Sequence, residues 1–186
     1  MKGTISAIIA ASMMFTAAFA GPRQAGARRE NQQDRIAQGV KSGSLTAGET
    51  ANLEKKESAI NHEIKTDRSL NGGKLTGQER KIVNGQQNKM SNQIYRDKHN
   101  AATQHYGNNE VDARRSNQQQ RIANGIASGK LNAGQTARLE KGESAINQET
   151  HTDRALNGGT LTPGEKAAIN GQQNVESGKI YQDKHN

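Results

Sequence analysis

The chain has 186 residues, a formal charge of +8 and a mean hydropathy of −0.98. It contains no cysteine, which excludes disulfides, thiolate metal sites and a lipid-modified cysteine. A basic balance of this size favours anionic partners such as nucleic acid, acidic polysaccharide or a lipid surface, with simple solubility as the plainer alternative.

Residues 1–20 read as a secretory signal peptide. Lys2 supplies a positive start, Ile5 to Phe19 is apolar and small, and Ala18-Phe19-Ala20 is an A-x-A cleavage site ahead of Gly21. The expected product is exported, periplasmic or secreted, with no transmembrane segment in the mature chain. Phe15 and Phe19 leave with the signal, so Tyr95, Tyr106 and Tyr181 are the aromatics that remain. A core built from scattered Ile, Leu, Val and Ala gives marginal stability. Residues 21–26 are a short tail.

The rest is a tandem duplication. Residues 27–100 align without gaps on residues 113–186, with 48 of 74 positions identical. Residues 101–112 form the linker; polar and glycine-containing, they read as a flexible joint. A fainter repeat lies inside each copy, in which Gly43, Leu45, Thr46 and Glu49 match Gly73, Leu75, Thr76 and Glu79. The pattern predicts three helices per copy, about Arg28–Ser42, Ala47–Leu70 and Gly77–His99, with the second set starting from Arg114, Ala133 and Pro163. Ile36 and Val40 pair at i, i+4. Leu53, Ile60 and Ile64 share a face at i, i+7, i+11, and so do Val83, Met90 and Ile94. Asn84-Gly85 and Asn170-Gly171 interrupt the third helix, at a cost of about 1 kcal/mol per glycine. There is no strand signal. The expected fold is all-α, with two tandem three-helix modules.

The first helix of each copy carries Arg28, Arg29 and Arg35, or Arg114, Arg115 and Arg121. Spacings of i, i+6 and i, i+7 let them share one side, which makes them the candidate polyanion-binding face. The competing reading is a solvated face shared with Glu30 and Asp34. The scarcity of aromatics argues against base-stacking recognition of single strands.

The loop Gly159-Thr160-Leu161-Thr162-Pro163-Gly164-Glu165, and Gly73 to Glu79 in the first copy, resembles the second half of an EF-hand calcium loop. The resemblance implies helix–loop–helix units, calcium as cofactor, and Asp67, Glu79, Asp153 and Glu165 as metal ligands. The chain departs from the family where the early oxygen ligands belong: Arg68, Leu70 and Gly72, or Arg154, Leu156 and Gly158, stand there. The same letters also spell helix starts. Thr46 with Glu49, Thr76 with Glu79 and Thr162 with Glu165 are capping boxes, and Pro163 suits a first helical position.

Two further groups have metal-type side chains. Asp97 with His99, and Asp183 with His185, offer two ligands each near a helix end, where a histidine also complements the helix dipole. Glu149, His151 and Asp153 sit two apart and do not share a helix face. No nucleophile elbow or phosphate loop is present, so a non-catalytic role is expected. Three functions stay open: an interaction module for anionic polymers or surfaces, a divalent-cation protein, and a self-associating structural component of the envelope or matrix.

Overall fold

A computed structural model describes residues 24–186. The signal-peptide reading and the cleavage site lie outside the described residues. Six helices follow one another: α1 (Gln24–Ser42), α2 (Ala47–Leu70), α3 (Gly77–Lys98), α4 (Glu110–Ala127), α5 (Ala133–Leu156) and α6 (Pro163–His185). Among the described residues there is no strand, and no helix is long and apolar enough to cross a membrane.

The helix starts are set locally. Thr46, Thr76 and Thr162 accept from the backbone N–H three residues on, and Glu49, Glu79 and Glu165 reach back to the cap N–H. Asn132 and Gln135 do the same for α5. The α2–α3 turn closes through Gly73, whose φ of 87° lies in the left-handed region, with its N–H on the Arg68 carbonyl at 2.7 Å. The Asn-Gly pairs do not break α3 or α6, which run through them; tertiary packing of the flanking turns outweighs the local cost.

Side-chain bonds then tie α1 to α3. Gln32 Nε2 donates to the Gln87 carbonyl at 2.7 Å, Gln87 Nε2 donates to the Ala25 carbonyl at 2.9 Å, and Arg35 donates to the Ser91 carbonyl at 3.0 Å. The same set ties α4 to α6 through Gln118 to Gln173, Gln173 to Val111 and Arg121 to Ser177.

The two copies are not separate bodies on a flexible joint. One apolar core draws on both: Ile36, Val40, Leu53, Val83 and Ile94 from the first, and Ile122, Ile126, Leu139 and Ile180 from the second. α2 packs along α5, and α1 along α4. Gly48 abuts Ser144 and Gly134 abuts Ser58, so α2 and α5 run antiparallel, with Leu53 and Leu139 at the same level at the midpoint of the register. The duplication thus folds with an approximate two-fold axis. The linker is held against this body. The Gln104 N–H donates to the Gly43 carbonyl at 2.8 Å, and Arg115 donates to the His105 carbonyl at 2.9 Å while lying 4.9 Å over the Tyr106 ring. Composition alone suggested a loose tether; these contacts fix it.

Candidate functional site

The buried stripe of α2 reads Leu53, Glu57, Ile60, Ile64. On α5 it reads Leu139, Glu143, Ile146, Thr150. A glutamate therefore stands inside each apolar stripe. Beside it lie Glu54 and Glu140, one residue from the two-fold axis. Glu176 joins them from α6. All five are at most 3 % exposed.

Their bonding is incomplete. Gln33 donates to Glu54 at 3.1 Å, Gln119 to Glu140 at 2.9 Å, and Lys179 to Glu176 at 2.9 Å. The second oxygen of each of these three carboxyls is buried without a partner. Glu57, beside the Asn61 amide, and Glu143 have both oxygens buried without a partner of hydrogen-bond geometry. The Gln119 and Gln173 amide oxygens are orphaned as well.

Burial of this kind penalises the charged form. It pushes Glu54 up to about 8, against the Gln33 hydrogen bond and helped by the nearby Glu57 charge. It pushes Glu57 to about 7, with Arg29 pulling the other way. Glu143 rises to about 8 by burial and then by the Glu176 charge, opposed by Arg115 and Arg121. Glu140 is raised well above the ordinary range by burial, then by Glu143, Glu54 and Glu176, against the Gln119 bond. Among the described residues, none of these arginines closes to ion-pair distance on a seam glutamate. Burial thus makes the Glu54, Glu57, Glu140 and Glu143 carboxyls hold a proton more tightly than an exposed carboxyl does. A protonated carboxyl also supplies the O–H donor that its orphaned oxygen neighbours lack.

Sequence reasoning missed this cluster. The signal was present: position 57 lies on the face of Leu53, Ile60 and Ile64, and position 143 on the face of Leu139 and Ile146.

The structure scatters the predicted arginines among internal partners. Arg28 donates to Asn88 at 3.0 Å, Arg35 and Arg121 clamp Ser91 and Ser177, and Arg114 reaches Asn174 and Glu110. Arg115 holds Asn147 and the linker, and Arg29 lies toward Glu57. They do not form one open face.

In the loops, Glu79 accepts from the Thr76 N–H at 2.7 Å and from the Asn71 amide at 2.8 Å; Glu165 is held likewise by Thr162 and Asn157. These bonds, the backbone ones foremost, hold both carboxyls below their usual range. Asp67 and Asp153 are shifted up, first by partial desolvation and then by Glu79 with Glu63, or Glu165 with Glu149. Among the described residues no group of three His, Asp or Glu side chains is placed to hold a metal ion. His99 and His185 donate through Nδ1 to the Tyr95 and Tyr181 carbonyls at 2.7 Å and stack on those rings. His151 lines a polar cleft of about 450 Å³ with Thr46, Gly48 and Asn147. A groove of about 480 Å³ runs between Lys56, Ile60 and Met90. Neither cavity is lined by the seam glutamates.

Comparison with protein-family models, with curated proteins and with solved structures gives no match.

Proposed function

We propose that the protein is an exported, non-catalytic interaction module with two related ends: two fused three-helix modules that present corresponding hairpin tips, each with an exposed leucine, in opposite directions. One observation carries this reading. Leu70 and Leu156 close α2 and α5, and they are 77 % and 78 % exposed. Each lies 17 residues from the Leu53–Leu139 midpoint of an antiparallel pair. At a rise of about 1.5 Å per residue the two tips stand roughly 50 Å apart.

A lone exposed leucine is ordinary. The same leucine at both poles of a two-fold body suits a protein that joins two things. The first tip also carries exposed Lys74 and Lys81, and the chain is strongly basic, so the partner we assign is an anionic surface.

The test is vesicle clustering with the full mature chain. Vesicles rich in anionic lipid should bind the protein and cluster; zwitterionic ones should not. Leu70→Ser or Leu156→Ser alone should leave binding in place but stop clustering, because one working tip cannot bridge. The double substitution should also weaken binding. Clustering that survives both substitutions removes the tips from the function. Concentration-dependent assembly without vesicles, lost in the same variants, would favour the self-associating structural component instead.

A further inference from the structure

We infer that the α2–α5 seam is a proton-operated catch: with its glutamates protonated the two copies are held together, and when they ionise the copies part. The inference does not depend on the tips.

Three observations carry it. The first is placement. Glu54, Glu57, Glu140 and Glu143 stand on two of the four helices through which the copies meet, near the midpoint of the α2–α5 register, all 1 % exposed or less, and Glu54 and Glu140 lie near enough to repel across it. The second is the lack of compensation. Six of their eight carboxyl oxygens have no partner of hydrogen-bond geometry, although the Asn61 amide lies beside Glu57, and the remaining two accept from neutral amides, Gln33 and Gln119. The groups that face them from neighbouring elements are Arg29 on α1, Arg115 and Arg121 on α4, Tyr106 in the linker, and Glu176 with Lys179 on α6. On α3 the position equivalent to Glu176 is the neutral Met90. Arg115 is already shared with Asn147, His105 and Tyr106, and Arg121 with Ser177. Once ionised, Glu54 and Glu140 repel each other across a dry interface, with Glu57 crowding the first and Glu143 and Glu176 the second, where repulsion is least screened. The third is what joins the halves. The hydrogen bonds that clamp α1 to α3 and α4 to α6 lie within one copy, so they survive a parting. Between the copies there is α1 packed on α4, and α2 on α5 through small residues such as Gly48 against Ser144, with these carboxyls among them.

The chain has no cysteine, so pairs of spin labels can be introduced freely. Lys55→Cys with Lys141→Cys reports across the seam, and Lys65→Cys with Lys81→Cys reports within the first copy. Measured from pH 5 to pH 9 on the full mature chain, the cross-seam distance should be single and narrow in acid. It should lengthen and broaden with a midpoint between pH 7 and 8. The within-copy distance should hold throughout. Adding Glu54→Gln and Glu140→Gln, which keep the shape and cannot ionise, should cut the parted population at pH 9 at least tenfold. A cross-seam distance unchanged over the whole range overturns the catch. So does a transition identical in the carboxamide variant, and so does loss of both distances together, which would make the carboxyls a condition for folding and not for closure. If the carboxamide variant does not fold, Glu54→Gln alone decides with the same two label pairs. It should move the cross-seam midpoint to higher pH and leave the within-copy distance unchanged; an unmoved midpoint overturns the proposal.

Discussion

Glu57 and Glu143 sit where an isoleucine would pack, and the consequence for stability has a definite sign. Their pKa values, with those of Glu54 and Glu140, are raised in the folded chain above the ordinary 4.5. The folded state therefore binds protons more tightly than the unfolded one. The stability they contribute is fully present below about pH 4.5 and is lost as pH rises through 7 to 8. A shift as large as that of Glu54 corresponds to roughly 3 to 5 kcal/mol. The cap carboxylates Glu79 and Glu165 work the other way: held low, their contribution fades as pH falls through their range. Melting curves should show the highest Tm near pH 5 and a clear fall by pH 8; a plateau or a rise from pH 5 to 8 would contradict the burial of these groups. A second residue-scale outcome concerns glycine. A Cβ at Gly39 or Gly125 would meet the Leu45 or Leu131 side chain at 2.6 Å. Gly39→Ala should cost about 1–3 kcal/mol by overpacking, read as a drop in urea midpoint. Gly85→Ala, in open space on the same kind of helix, should be neutral or stabilise by up to about 1 kcal/mol. What hid the glutamates from sequence reasoning was an assumption about residue type. Position 57 lies on the face of Leu53, Ile60 and Ile64, but an apolar periodicity counts only apolar residues and passes over a glutamate.

Element ends were the most legible part of the chain, because a capping box closes over four residues and owes nothing to the rest of the fold. Thr-x-x-Glu located α2, α3 and α6, and Pro163 stands in the first turn of α6. Thr76→Ala or Thr162→Ala should lower stability by about 1 kcal/mol. The same geometry bears on calcium. Glu79 and Glu165 already accept from backbone and Asn amides, so an ion would have to displace a cap to gain a ligand. Millimolar calcium should leave Tm unchanged by calorimetry; a rise that Glu79→Gln and Glu165→Gln abolish would establish the cation reading. The arginines were not legible in this way. Their spacing on α1 and α4 was plain, but Ser91 lies 56 residues from Arg35, and Ser177 as far from Arg121. Arg35→Gln should loosen α3 from α1 and lower the Tm by several degrees, whereas a change confined to polyanion affinity would show the residue free to serve a ligand.

At the scale of the molecule, the repeat itself was evident from a gapless alignment, while the way its halves meet was not. Alignment compares a copy with itself and carries no information about which of its faces is left uncovered. The core gives the answer, since Ile36, Val40 and Leu53 are buried in one cluster with Ile122, Ile126 and Leu139 of the second copy. Residues 21–100 produced alone should accordingly pair, with a Tm that rises with concentration; a compact monomer with a concentration-independent Tm would refute the shared core. The two-fold register has one more consequence, visible at Gly142. A Cβ there would stand 2.7 Å from the Glu176 carboxyl, whereas the first copy has Lys56 and Met90 at the matching positions. In a pair of identical chains every substitution arrives on both sides of the axis, so a bulky acid and the glycine that makes room for it would have to be tolerated twice. Joining the halves in one chain removes that obligation. One half can drift toward an extra buried acid while the other keeps an oily side chain, and the symmetric frame no longer dictates symmetric chemistry.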